Sequence, residues 1–139
     1  MNPDTQDLDY LKSLTLLYVE DDEDTSKQFC KLLQRLVGTV VSKKNGAEGL
    51  VAFHAHHPDI IIADIHTPVM DGLFMAKEIR LSDSSIPIII ITAFNFPDYI
   101  RRATSIGIDR YLVKPIDSQL LVKILNDLAH RLRKKRLSE

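Results

Sequence analysis

A doubly wound α/β fold, one parallel sheet with helices on both faces, is predicted by three observations. Short apolar runs recur at residues 14–19, 60–63, 86–91 and 111–113, with helix-period stretches between them. This alternation builds parallel sheets from right-handed crossovers. The all-isoleucine run at 88–91 is what a central parallel strand covered on both faces requires. Each run also leads into a polar residue: Glu20 and Asp21, Asp64, Thr92, and Lys114. In one parallel sheet these strand ends lie along the edge where open α/β sheets bind ligands.

The elements follow in order. Residues 14–19 read as a strand, and Asp24 is the expected cap of a helix carrying Phe29, Leu33 and Leu36 on one face, stopped by Gly38. Residues 39–42 form a short second strand. Ala47, Leu50 and Val51 give the next helix its apolar face, and 60–63, bounded by Pro58, reads as a fully buried strand. After a loop through Pro68 and Gly72, a helix with Leu73, Ala76 and Ile79 precedes the strand at 88–91. A short helix near 98–105 ends at Gly107, a fifth strand covers about 108–113, and a final helix starts at Asp117. Ile116 and Leu121 hold staple positions around that cap, and Leu121, Leu125, Leu128 and Leu132 continue the stripe. These units compose a flavodoxin-like (βα)5 fold with five strands in one sheet. Residues 1–12 are expected to be a polar leader, poorly ordered over 1–9. Residues 13–132 form the domain, and 133–139 are the basic end of the last helix or a linker.

Composition sets the outer limits. A chain of 139 residues that is 45% hydrophobic suits one domain, burying roughly 70% of its unfolded surface. The single cysteine, Cys30, cannot form an internal disulfide, and the start lacks the pattern of a signal peptide, so a cytoplasmic location is expected. No apolar stretch approaches the ~20 residues a membrane helix needs. A formal charge of -1 argues against general nucleic-acid binding, although residues 130–136 form a local basic run.

The motifs V-E-D-D at 19–22, D-I-H-T-P-V-M-D-G at 64–72, T-A at 92–93 and Y-L-V-K-P at 111–115 together resemble the receiver domain of two-component response regulators. Each motif is weak alone; their order and placement after successive strands make the set specific. The resemblance extends from about Thr15 to Leu132. It implies strand order 2-1-3-4-5 and phosphorylation of Asp64 by a sensor histidine kinase or a phosphotransfer protein. It also implies a cis bond before Pro115, a metal site of Glu20, Asp21, Asp64 and the His66 backbone carbonyl, and a switch through Thr92 and Tyr111. That switch would remodel the surface of the fourth helix, fifth strand and fifth helix of the alternation, where an output domain or a homodimer partner would bind. Direct nucleic-acid or membrane contact is not expected, nor is catalysis beyond the domain's own aspartyl phosphorylation and dephosphorylation.

The residue chemistry agrees with this. A carboxylate nucleophile approaching an anionic phosphoryl donor needs its charge neutralised. Clustered Glu20, Asp21 and Asp64 suit a hard cation, Mg²⁺ or Mn²⁺, bound through oxygen. Asp22 is a secondary ligand candidate that also suits the following helix N-terminus. Lys114 supplies a second positive charge and Thr92 a hydroxyl donor. The resemblance also implies that the residues two past Asp64 and Thr92, here His66 and Phe94, overhang the site and can admit or exclude hydrolytic water. Thr67 stands where the family often has Met or Leu.

Other classes fit less well. The D-x-H-T segment resembles haloacid-dehalogenase phosphatases, but His66 replaces their second Asp. A flavodoxin-type cofactor binder needs a phosphate-cradling loop after the first strand, where this chain is acidic. A phosphate-independent module of the same fold would usually lose the acceptor or the lysine. His54, His56 and His57 lack partners at ligand spacing and read as solvated.

Overall fold

The computed structural model describes residues 5–139. Its elements are α1 (Thr5–Leu11), β1 (Thr15–Val19), α2 (Glu23–Leu36), β2 (Thr39–Lys43), α3 (Gly46–His56), β3 (Ile60–Asp64), α4 (Gly72–Ser82), β4 (Ile88–Thr92), α5 (Pro97–Ile106), β5 (Arg110–Val113) and α6 (Ser118–Leu137). All five strands are parallel, in the order β2-β1-β3-β4-β5. The fourth and fifth helices of the predicted alternation are therefore α5 and α6.

Successive strand side chains point to opposite faces, and both faces here are covered, which is why the central strands are unbroken apolar runs. Leu16, Tyr18, Ile60, Ile62, Ile89 and Ile91 pack with Leu33 of α2 and Leu121, Leu125 and Leu128 of α6. On the other face, Leu17, Val19, Ile61, Ala63, Ile88 and Ile90 meet Phe53 of α3, Leu73, Ala76 and Ile79 of α4, and Ala103 of α5. Each wholly buried Leu or Ile contributes about 1.5–3 kcal/mol. The strands carrying the site are consequently fixed from both sides.

Three expectations are corrected. The cap of α2 is Asp22, not Asp24: its carboxylate accepts from the Thr25 amide at 2.9 Å, the reach of a cap to the third helical residue. Asp24 lies inside the first turn, and Val37 rather than Gly38 closes the helix. Val51 is 70% exposed. The buried face of α3 is Gly46, Gly49, Ala52 and Phe53, because Gly49 lets the helix approach Val19 and Met75 closely. The cap of α5 is Phe96, which the sequence does not single out; Gly107 closes that helix at φ 87° and Asp117 caps α6, both as expected.

The third correction concerns the leader. Residues 1–4 lie outside the described residues, but 5–11 form a helix rather than an unstructured tail. Leu11 is fully buried, and Asp7 bonds His130 and Arg133 of α6 at 2.9 Å each. Arg136 donates to the Tyr10 hydroxyl and to Asp59, both at 2.7 Å. Much of the basic run at 130–136 is thus engaged within the chain, Arg131 by Asp109. Burial alone would push the Asp7 carboxyl up, but its bonds to Arg133 and His130 outweigh this and hold it below the usual carboxylate range.

Asp7→Asn is expected to lower stability by about 1–2 kcal/mol at neutral pH. Because the folded carboxyl titrates lower than the unfolded one, this contribution is complete above the unfolded value of 3.8 and fades as pH falls through the folded value. Denaturant midpoints of both proteins, measured from pH 7 down to acid, should converge at the low end.

Candidate functional site

The C-terminal ends of β1, β3, β4 and β5 assemble the site. Asp64 ends β3 and is buried; Glu20 follows β1, is also buried, and is anchored by its amide donating to the Lys43 carbonyl at 3.0 Å. Lys114 follows β5 and is fixed by its amide donating to the Thr92 carbonyl at 2.8 Å. Its ammonium reaches back to Asp64 Oδ2 at 2.6 Å and Glu20 Oε1 at 2.8 Å. Asp64 Oδ1 accepts from the His66 amide at 2.9 Å, so both acceptor oxygens are held. The Lys114–Pro115 bond is cis, as the resemblance implies.

Close approach of two elements tightens this floor. The Gly72 amide donates to the Ile65 carbonyl at 2.9 Å, and a Cβ on Gly72 would sit 2.1 Å from the Asp64 carbonyl oxygen. Only glycine admits that contact. The loop between β3 and α4 is braced by Thr67 Oγ1 donating to the Met70 carbonyl at 2.7 Å and the Gly46 amide donating to the same carbonyl at 2.8 Å. Within it Val69 takes φ 69°, an uncommon conformation for a β-branched residue.

One ammonium faces two buried carboxylates. Burial, reinforced by the Asp64 charge and opposed by Lys114, raises the Glu20 carboxyl above its ordinary range. Burial works against the Lys114 charge, but its bonds to Asp64 and Glu20 prevail and raise the ammonium above the ordinary lysine range. The pocket therefore lacks positive charge and offers oxygen donors, the chemistry of a site for a hard divalent cation. Among the described residues no three carboxylate, imidazole or thiolate side chains form a ready-made cage. Asp21 is exposed beside the pair, and Asp22 is committed to capping α2.

Two expected participants stand differently. Thr92 is wholly buried, and its hydroxyl donates to the Phe94 carbonyl and accepts from the Phe94 amide, each at 3.1 Å, rather than meeting Asp64. The Tyr111 hydroxyl is buried without a hydrogen-bond partner among the described residues. Burial, aided by Tyr99, pushes that phenol up. His66 and Phe94 were expected beside the site, but the sequence gives no sign that Tyr99 and Phe96 join them in a ring cluster. His66 meets Phe94 and Tyr99 edge-on at centroid distances of 5.2 and 5.3 Å, and Phe96 contacts Phe94 at 5.9 Å and Tyr99 at 5.4 Å. The triple histidine run is exposed, as expected.

A strand-end acidic pair, an aspartate and a lysine on this sheet define a class, and comparison with known proteins agrees. The family model of the response regulator receiver domain matches residues 16–126, and the chain belongs to that family. It is 30% identical over 132 residues to the transcriptional regulatory protein RprY of Bacteroides fragilis, spanning 95% of this chain and 56% of that one. It is 33% identical over 117 residues to GlrR of Escherichia coli, spanning 84% of this chain and 26% of that protein. The chain thus covers only about a quarter to a half of these relatives. The N-terminal domain of an uncharacterized Wolinella succinogenes protein superposes with a TM-score of 0.84 at 33% identity, covering 88% of this chain and 99% of that one. The chemotaxis protein CheY4 of Vibrio cholerae superposes at 0.77 with 26% identity, covering 84% and 98%. No described helix is long and apolar enough to cross a membrane.

Gly72→Ala should cost about 1–3 kcal/mol, the usual penalty of overpacking, and shift the Asp64 backbone; thermal melting and the amide spectrum of β3 measure both. Glu20→Gln should behave oppositely. Its parent carboxyl is raised on folding, so ionised Glu20 opposes the fold once pH passes the unfolded value of 4.5. Without divalent cations, the Gln variant should be the more stable protein at pH 7 and lose that advantage in acid, as chemical denaturation across pH would reveal.

Proposed function

We propose that this chain is a phosphoacceptor receiver that takes a phosphoryl group from a histidine kinase or phosphotransfer protein onto Asp64 and switches a protein-interaction surface. The observation that carries this reading is the Lys114 ammonium at 2.6 Å from the buried acceptor, shared with Glu20. A carboxylate oxygen of Asp64 attacks phosphorus as the P–N bond to the donor imidazole breaks, its electron pair leaving with nitrogen, and an acyl phosphate forms. Lys114 passes from the carboxylate to a phosphoryl oxygen as charge moves outward. Mg²⁺ or Mn²⁺, held by Glu20, Asp21, Asp64 and the His66 carbonyl with Asp22 as a lesser candidate, would neutralise the remaining charge. A cavity of 570 Å³ lined by Tyr18, Phe29, Leu32, Ile91, Pro115 and Ile116 opens beside Lys114 and suits the apolar part of a donor protein.

Thr92 is the group that must change partners. Its hydroxyl exchanges the Phe94 backbone for a phosphoryl oxygen, and Tyr111, whose hydroxyl has no bond to lose, repacks with it. This is a population shift driven by differential contacts to the phosphate. The affected face is α5, β5 and α6, where Tyr99, Arg101, Arg102 and Arg110 supply aromatic and cationic contacts for an output domain, another protein or a second copy. The transcriptional relatives make a regulatory output one form of this reading, and the chain's own catalysis is confined to gaining and losing its phosphoryl group.

Incubation with Mg²⁺ and a small acyl phosphate, followed by intact-mass analysis at low temperature, tests the assignment. One phosphoryl group should appear on the parent and none on Asp64→Asn; equal modification of both sinks it. Lys114→Ala should fold, yet lose the phosphorylation-dependent response at Tyr111. An unchanged exchange or spectral response in that variant counts against the role of Lys114.

A further inference from the structure

Two loops and one helix contribute a ring cluster that is linked to Asp64 through His66. His66 is exposed, and its imidazole has no hydrogen bond among the described residues; Phe94 and Tyr99 hold it at 5.2 and 5.3 Å, with ring planes at 88° and 67°. Both are edge-on arrangements that aromatic pairs favour. The backbone of the same residue serves the acceptor, since its amide donates to Asp64 Oδ1 at 2.9 Å. Fixing the His66 ring therefore fixes the peptide that orients the carboxylate.

The other side of the grip is anchored on α5. Phe96, the cap residue of that helix, makes no side-chain cap bond, so the helix start lacks the usual oxygen acceptor. It is held instead by Phe96 stacking on Phe94 at an interplanar angle of 4° and tilting against Tyr99. Tyr99 also packs against the same apolar cluster as Tyr111. The acceptor loop, the loop after β4 and the first turn of α5 are thus joined by side-chain rings.

We propose that Tyr99 and Phe94 are positioning residues, a two-sided ring grip that holds His66 and through it the Asp64 carboxylate, and that ties the acceptor loop to the start of α5. Its functional meaning rests on the phosphoacceptor reading; its geometry does not. Hence the deciding measurement is made on unphosphorylated, metal-free full chain.

Amide hydrogen exchange read by mass spectrometry over residues 65–67 should rise about fivefold in Tyr99→Ala, the scale of one lost edge-to-face contact. Tyr99→Phe should keep the parental rate. In a His66→Ala background, Tyr99→Ala should add nothing, because the gripped ring is already gone. Tyr99→Leu, which keeps apolar bulk without a ring, serves the same cycle if the alanine variant does not fold. Parental exchange in the ring-less variant, or an equal rise with and without His66, overturns the proposal. Mass analysis of the same samples after acyl phosphate treatment reports Asp64 separately: an unmodified parent defeats the phosphoacceptor reading while the exchange cycle still decides the grip. A titration with Mg²⁺ followed by amide shifts gives a second readout, with weaker binding expected in Tyr99→Ala and parental binding in Tyr99→Phe.

Discussion

Two buried carboxylates sharing a single ammonium set the terms on which this domain exists. Lys114 bonds both buried carboxylates, Glu20 at 2.8 Å and Asp64 at 2.6 Å, and burial raises the Glu20 carboxyl even so. Such a group is worth little as a stabiliser, since desolvation absorbs most of the attraction. Its value lies in being incomplete. Two carboxylates that share one ammonium favour a ligand that brings further positive charge.

That arrangement needs a rigid floor. Five parallel strands covered on both faces provide it, because each residue that reaches the edge is the continuation of a strand whose side chains cannot rotate without opening a cavity. Gly72 closes the floor from the side by bringing α4 against the Asp64 carbonyl. Above it, the buried Thr92 hydroxyl bonds the backbone of its own loop, and the Tyr111 hydroxyl has no partner among the described residues.

Much of this was legible in the sequence, for identifiable reasons. A strand buried on both sides must be apolar throughout, so β3 and β4 are conspicuous, and a parallel topology brings their ends together wherever the connecting helices lie. Glu20, Asp64 and Lys114 are therefore legible as neighbours on one edge from the sequence alone. Contacts that depend on loop conformation were not legible. The Thr92 hydroxyl bonds a backbone two residues on, and the His66 ring meets partners from a loop and a helix whose paths no local pattern specifies. The cap of α2 lies two residues earlier than expected because five acidic residues in succession, 20–24, offer several acceptors. Val51 moved to solvent because α3 packs through glycine and alanine, which carry little hydrophobic signal. The helix at 5–11 was hidden most completely: its buried aspartate is satisfied by His130 and Arg133, 123 and 126 residues away.

That helix also decides the geography of the molecule. It runs directly into the start of β1, and its partner, the last turns of α6, reaches Asp59 just ahead of β3. Both therefore lie at the foot of the sheet, while Asp64 stands at its head, about 16 Å away along a five-residue strand. Anything tethered at either end of this domain would hang beneath the sheet, at the far end from Asp64. A tethered module would meet the head only through the helices that flank the sheet.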